Sequence, residues 1–255
     1  MFFIYFITAI CATTLGSLAG LGGGVIIKPI LDALGDYNLG TVGVLSSITV
    51  FSMAFIATIK QFKSGFKINL SIVTLAIGSI LGGGIGKKAF DIFLTLFDNE
   101  SYGKGIQAII LTILLVLVLQ KNSLPKYKII NISVVFLVGL LLGGIASFLG
   151  IGGGPINVAI LVTLFAFSTK NAAISSIFII LLSQFSKLFL IYIDSGFSNY
   201  NLQMLPVMVI GGTLGGFIGA KLNHYLSNEY IEKIFNISIV CIILINMFNI
   251  YKAFN

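Results

Sequence analysis

The chain has 255 residues, of which 57% are hydrophobic and 9% charged, with a mean hydropathy of +1.08. Soluble proteins carry about a quarter charged residues, so this composition excludes a soluble globular domain and implies an integral membrane protein. A formal charge of +7 would suggest nucleic acid as a partner for a soluble protein, but here most of the lysines fall in loops and at helix ends, where they orient a chain in a bilayer.

Residues 2–19 form a first apolar segment. No basic residue precedes it, which argues against a cleaved signal peptide. The segment is stopped by Gly20-Leu21-Gly22-Gly23-Gly24 and continues as a half-length helix over 25–34, before a turn at Gly35-Asp36-Tyr37-Asn38. Residues 42–59 form a full span carrying Ser46-Ser47, followed by a basic loop at 60–67. A third span, 68–86, is rich in glycine at three- and four-residue spacing and is closed by Lys87-Lys88. The stretch with Asp91, Asp98, Glu100 and Lys104 then reads as a polar connection to a fourth span, 106–119. Residues 120–128, with Pro125 and three lysines, are the most loop-like stretch and lie at the midpoint.

The second half repeats this order. An apolar run over 129–149 meets Gly150-Ile151-Gly152-Gly153-Gly154, a half helix follows over 155–167, and the next span begins at Ala172 and carries Ser175-Ser176. After 194–201 come Gly211 to Gly219, which lie on Gly78 to Gly86 without a gap, and a last span over 231–250. The three correspondences are offset by 130, 129 and 133 residues, in order, as duplication requires. The expected fold is all-α and integral to the membrane, with about eight apolar helical segments. They form two tandem repeats of about four, each opening with a glycine-broken helix that is either discontinuous or re-entrant. The first repeat covers 1–120, an inter-repeat loop 121–128, and the second repeat 129–255. If the broken segments cross the membrane the halves run parallel; if they turn back the halves are inverted. Both arrangements put the lysines of 60–67 and 121–128 in the cytoplasm.

The breaks carry the candidate chemistry. Backbone released from a helix at membrane depth is tolerated where protein buries it or where it lines a cavity. A helix starting after Gly24 or Gly154 presents unpaired N–H groups and a positive dipole end to an anion. That needs no arginine, and this chain has none: every basic residue is lysine. Pro155 suits a first helical turn. The candidate substrate site is therefore Gly22, Gly23, Gly24 and Val25 with Gly152, Gly153, Gly154 and Pro155. Asn157 joins it because no loop explains its polarity, and Ser46, Ser47, Ser175 and Ser176 join as hydroxyl donors. The competing readings are glycines that serve flexibility or close packing and serines that bond back to their own helix. Lys28 and Asp32 share a helix face; Lys28 either pairs with Asp32, faces the substrate or snorkels. Gly78, Gly82, Gly86, Gly211, Gly215 and Gly219 read as packing residues. Lys187, late in its span beside Gln184, reads as snorkelling, Cys11 and Cys241 as small buried hydrophobes, and His224 as a solvated loop residue. No catalytic, nucleotide, cofactor or metal motif is present, which excludes ATP hydrolysis by this chain.

With Gly-x-Gly-Gly-Gly at Gly20 to Gly24 and Gly150 to Gly154, the serine pairs in the next spans, and the glycine-rich third spans, the sequence resembles the sulfite exporter TauE/SafE family, also called the toluene sulfonate uptake permease family. The family often has Thr-Ser where this chain has Ser46-Ser47 and Ser175-Ser176. The resemblance implies a multi-pass permease for small sulfur-containing anions such as sulfite and sulfonates, by preference an exporter, in the plasma or inner membrane of a prokaryote. Its expected partners are the lipid bilayer and a small anionic substrate, and nothing indicates an oligomer. A non-transporting membrane scaffold or assembly subunit, or a permease for an unrelated small solute, is the alternative.

Overall fold

The computed structural model describes residues 2–96, 100–194 and 196–255, so Asp98 lies outside the described residues. In chain order the helices are α1 (Phe2–Ala19), α2 (Gly24–Leu34), α3 (Leu39–Lys63), α4 (Leu70–Thr95), α5 (Glu100–Leu119), α6 (Ile132–Leu149), α7 (Gly154–Leu164), α8 (Thr169–Asp194), α9 (Leu205–Tyr225) and α10 (Asn228–Phe254), with a 3-10 turn at Gln120–Asn122. Eight of them, all but α2 and α7, are long and apolar enough to cross a membrane. Their outer faces are apolar at helical spacing, as at Ile77, Leu81 and Ile85, while Ser46, Ser47, Thr49 and Gln184 are buried. This suits a bundle whose solvent is hydrocarbon.

Small residues set the packing. α4 runs parallel to α6, with Gly82 on the Leu140 carbonyl and Gly86 on that of Gly144; α1 runs parallel to α9, with Gly219 on the Thr14 carbonyl. α9 also lies along α3, with Gly212 at Thr49 and Gly216 at Met53, and α4 along α8, where Ser186 Oγ donates to the Ile80 carbonyl at 2.9 Å. α5 and α10 are antiparallel: Gly105 meets Ala253, and Lys121 Nζ bonds Asn236 at 2.9 Å.

α2 ends beside the start of α1, where Tyr5 donates to Asp36 at 2.7 Å. The chain just before α6 meets the end of α7 in the same way, Tyr127 N donating to the Thr163 carbonyl at 2.6 Å and Ile129 N to that of Leu164 at 3.0 Å.

Three expectations are corrected. α4 does not stop at Lys87-Lys88 but continues to Thr95, because Lys87 is neutralised by Asp91 at 2.7 Å and by Asp194 of α8 at 2.9 Å. Cys11 and Cys241 are exposed on the outer face, where lipid accepts a small apolar side chain as readily as a core does. His224 is exposed within the last turn of α9 and not in a loop.

Candidate functional site where the two glycine stretches meet

The glycine stretches come together in the interior, backbone against backbone. A Cβ added at Gly24 would stand 2.7 Å from the Ile151 oxygen, and one at Gly154 would overlap the Leu21 carbonyl. The two contacts are reciprocal, since Gly24 and Gly154 are the last glycines, and Leu21 and Ile151 the second residues, of the two Gly-x-Gly-Gly-Gly stretches. Gly20, Gly22, Gly23, Gly150, Gly152 and Gly153 all have φ between +63° and +80°, a region that glycine enters freely. Ser176 Oγ, from α8, braces both stretches, donating to the Gly20 carbonyl at 2.8 Å and the Gly154 carbonyl at 3.3 Å.

α2 and α7 therefore begin at depth and beside each other. Side chains of Asn38, Asn69, Asn131 and Ser227 accept from the first N–H groups of α3, α4, α6 and α10. Gly23 and Gly153, in the same position before α2 and α7, offer no side-chain acceptor. The expected unpaired N–H groups are nonetheless only partly present. At the start of α2 the Gly24 N–H donates to the Gly22 carbonyl at 2.6 Å and the Ile26 N–H to that of Gly23 at 2.9 Å, because the tight glycine turn folds its own carbonyls back onto the helix start. Pro155 occupies the first turn of α7, and Val25 is fully buried behind Gly24.

The remaining candidates separate by their partners. Ser46 Oγ lies 3.1 Å from a Cβ built on Gly24, and the Ser46 and Ser47 hydroxyls are buried without a hydrogen-bond partner among the described residues. Asn157 Oδ1 is likewise buried and unpartnered, 3.5 Å from a Cβ built on Gly153. Ser175, by contrast, donates back to the Asn171 carbonyl at 2.8 Å, and the hydroxyl of Ser176 is committed to the brace. Lys28 is buried and paired with Asp32 at 2.7 Å, their side chains 5% and 7% exposed, so Lys28 does not snorkel. Asp32 Oδ1 has no partner among the described residues.

Lys187 departs from its expected role. It is 4% exposed, and its Nζ lies 3.8 Å from a Cβ built on Gly150, whose other neighbour is the Lys28 stem at 3.6 Å. The Gln184 amide nitrogen stands 3.7 Å from a Cβ built on Gly152. Ser176, Ile180, Gln184 and Lys187 form one stripe of α8 facing the breaks. Their helical spacing was the available signal, and Lys187 and Gln184 were missed because only the tertiary fold turns that stripe inward.

Residues 5–247 match the family model described as Sulfite exporter TauE/SafE. The chain belongs to the sulfite exporter TauE/SafE family. It is 28% identical over 281 residues to the probable membrane transporter protein YunE of Bacillus subtilis, covering 94% of this chain and 95% of that protein. It is 23% identical over 258 residues to a probable membrane transporter protein of Haemophilus influenzae, covering 94% and 93%. No solved structure matches the chain. In this TauE/SafE protein the two stretches in mutual contact are the Gly-x-Gly-Gly-Gly elements, and the third-span glycines lie in the helix seams.

Proposed function

We propose that this TauE/SafE protein is a secondary permease and not an enzyme, moving small sulfur-containing oxyanions such as sulfite or sulfonates across the cytoplasmic membrane, by preference outward. The anion is held between the starts of α2 and α7. The observation that carries this reading is the reciprocal contact of the breaks, Gly24 on Ile151 and Gly154 on Leu21, with the unpartnered Ser46 and Ser47 hydroxyls beside it as donors. The unpartnered Asn157 oxygen only accepts, so Asn157 would serve an anion through its side-chain NH2. Neutral donors and helix dipoles, worth up to ~2 kcal/mol in partly buried geometry, bind an oxyanion loosely enough to release it. Because the breaks touch, entry of the anion requires them to separate.

The architecture we propose is a duplication, with repeats over 1–120 and 129–255 joined by 121–128, and with the halves inverted. α3 and α4 are joined by a short loop and run oppositely. α9 lies parallel to α3 and α4 parallel to α8, so each helix opposes its counterpart in direction. The contacts of Tyr5 with Asp36 and of Tyr127 with Thr163 support a re-entrant path for α1–α2 and for α6–α7. Substrate sites of inverted-repeat transporters fall where such discontinuous helices meet.

Purified protein in proteoliposomes should give saturable flux of sulfite, a sulfonate, thiosulfate or sulfate above empty vesicles. Absence of flux for all four under every ion and pH gradient would refute the substrate class.

A further inference from the structure

We propose that Lys187, with Gln184 and the neighbouring Lys28, forms a cationic binding station for a small oxyanion beside the second glycine break; the inference rests on the permease reading and adds the charge that the breaks lack. Lys187 is 4% exposed and, among the described residues, has no hydrogen-bond or ion-pair partner. An ammonium at that depth without a counter-charge is strongly disfavoured.

The surrounding charges are otherwise committed. Asp32 holds Lys28, and Asp91 and Asp194, each about half exposed at the end of the bundle, hold Lys87. The inner group of Lys28, Asp32 and Lys187 therefore keeps one positive charge in excess, while the one carboxylate charge in excess around Lys87 is solvated, Asp91 and Asp194 being about half exposed. The station has an approach: a cavity of about 100 Å³ is lined by Lys187, Lys87, Asp91, Tyr200, Gly40 and Gly43. Lys187 borders this cavity and also reaches Gly150, which is 3.8 Å from Nζ when measured from an added Cβ. One side chain thus spans from the approach to the break. Gln184, next to Gly152, supplies a neutral donor on the same face. The ligand that fits is a compact anion with several acceptor oxygens, which the three ammonium donors and the amide can share. The equivalent positions in the first half are Thr58 and Phe55, so the charge is confined to one side of the pathway.

The test uses Lys187→Met, Lys187→Arg and Asp32→Asn in the full-length protein, reading thermal stabilisation by sulfite, sulfate, nitrate and phosphate together with sulfite flux. The expected result is that wild type is stabilised by at least one anion. Lys187→Met should lose that stabilisation or need at least tenfold more anion, while melting at or above the wild-type temperature without anion. Lys187→Arg should retain it, and Asp32→Asn, which frees Lys28, should tighten it. A Lys187→Met protein with wild-type anion response and wild-type KM for sulfite overturns the station and leaves the permease standing. A Lys187→Met protein that melts lower without anion, or a wild type that no anion stabilises, also overturns it. If wild type moves no sulfur oxyanion but gains Lys187-dependent stability with nitrate or phosphate, the station stands and the sulfur substrate falls.

Discussion

Among single residues at the breaks, the buried polar atoms without partners are better experimental handles than the glycines. A side chain at Gly23 or Gly153 must adopt positive φ, which costs about 1–2 kcal/mol, and its Cβ would also meet Thr13 at 3.1 Å or Ala146 at 2.7 Å. Gly23→Ala and Gly153→Ala are therefore expected to lower the melting temperature by several degrees as well as the flux, and an unchanged melting temperature would contradict these backbone conformations. Ser47→Ala differs. A buried oxygen without a partner costs about 1–3 kcal/mol, so removing it should leave the melting temperature equal or raised. If the hydroxyl serves the anion, sulfite flux falls nonetheless; a stable variant with full flux would remove Ser47 from the site. The glycine stretches were legible in the sequence because nothing else interrupts an apolar run so abruptly. Lys187 was not, since a lysine late in a span snorkels or stays inside according to neighbours on other helices, here Gly150 and Lys28.

Between elements, the glycine seams decide how closely helices approach. A methyl at Gly82 would overlap the Leu140 carbonyl of α6, and one at Gly215 would stand 2.6 Å from the Ile10 carbonyl of α1 and overlap the Thr13 hydroxyl. Ser17 Oγ adds a bond across the second seam, donating to the Gly216 carbonyl at 2.9 Å. Overpacking of this kind costs typically 1–3 kcal/mol. Gly82→Ala and Gly215→Ala should therefore reduce monodisperse yield and melting temperature, with the sulfite KM of the surviving folded protein unchanged. A raised KM at normal stability would move these glycines into the site. Their packing role was legible from their spacing, but the end of α4 was not. A lysine pair ordinarily stops a span, and what carries α4 onward past Lys87 is partly distant in sequence, namely Asp194 of α8.

For the molecule as a whole, the proposed inverted arrangement predicts which loops share a membrane face. Ser64, Ser123 and Ser168 are exposed at one end of the bundle and Asn255 at the other. The exposed Cys11 and Cys241 must first be replaced. Single cysteines at 64, 123 and 168 should then react with an impermeant reagent from the cytoplasmic side, and one at 255 from the opposite side. Labelling of 255 together with 64 would instead require parallel halves. Lysine counts could not separate these arrangements, because the side carrying 60–67 and 121–128 receives nine of the 15 lysines in one and eight in the other. The central claim, that an oxyanion passes between the starts of α2 and α7, is tested most directly by the sulfite KM of Asn157→Leu in proteoliposomes. Loss of a hydrogen bond from the Asn157 side-chain NH2 to a charged ligand is worth about 1.5–3 kcal/mol, so the account expects a variant at least as stable as wild type whose KM rises about tenfold or more. Wild-type KM and flux in a stable Asn157→Leu protein would contradict it.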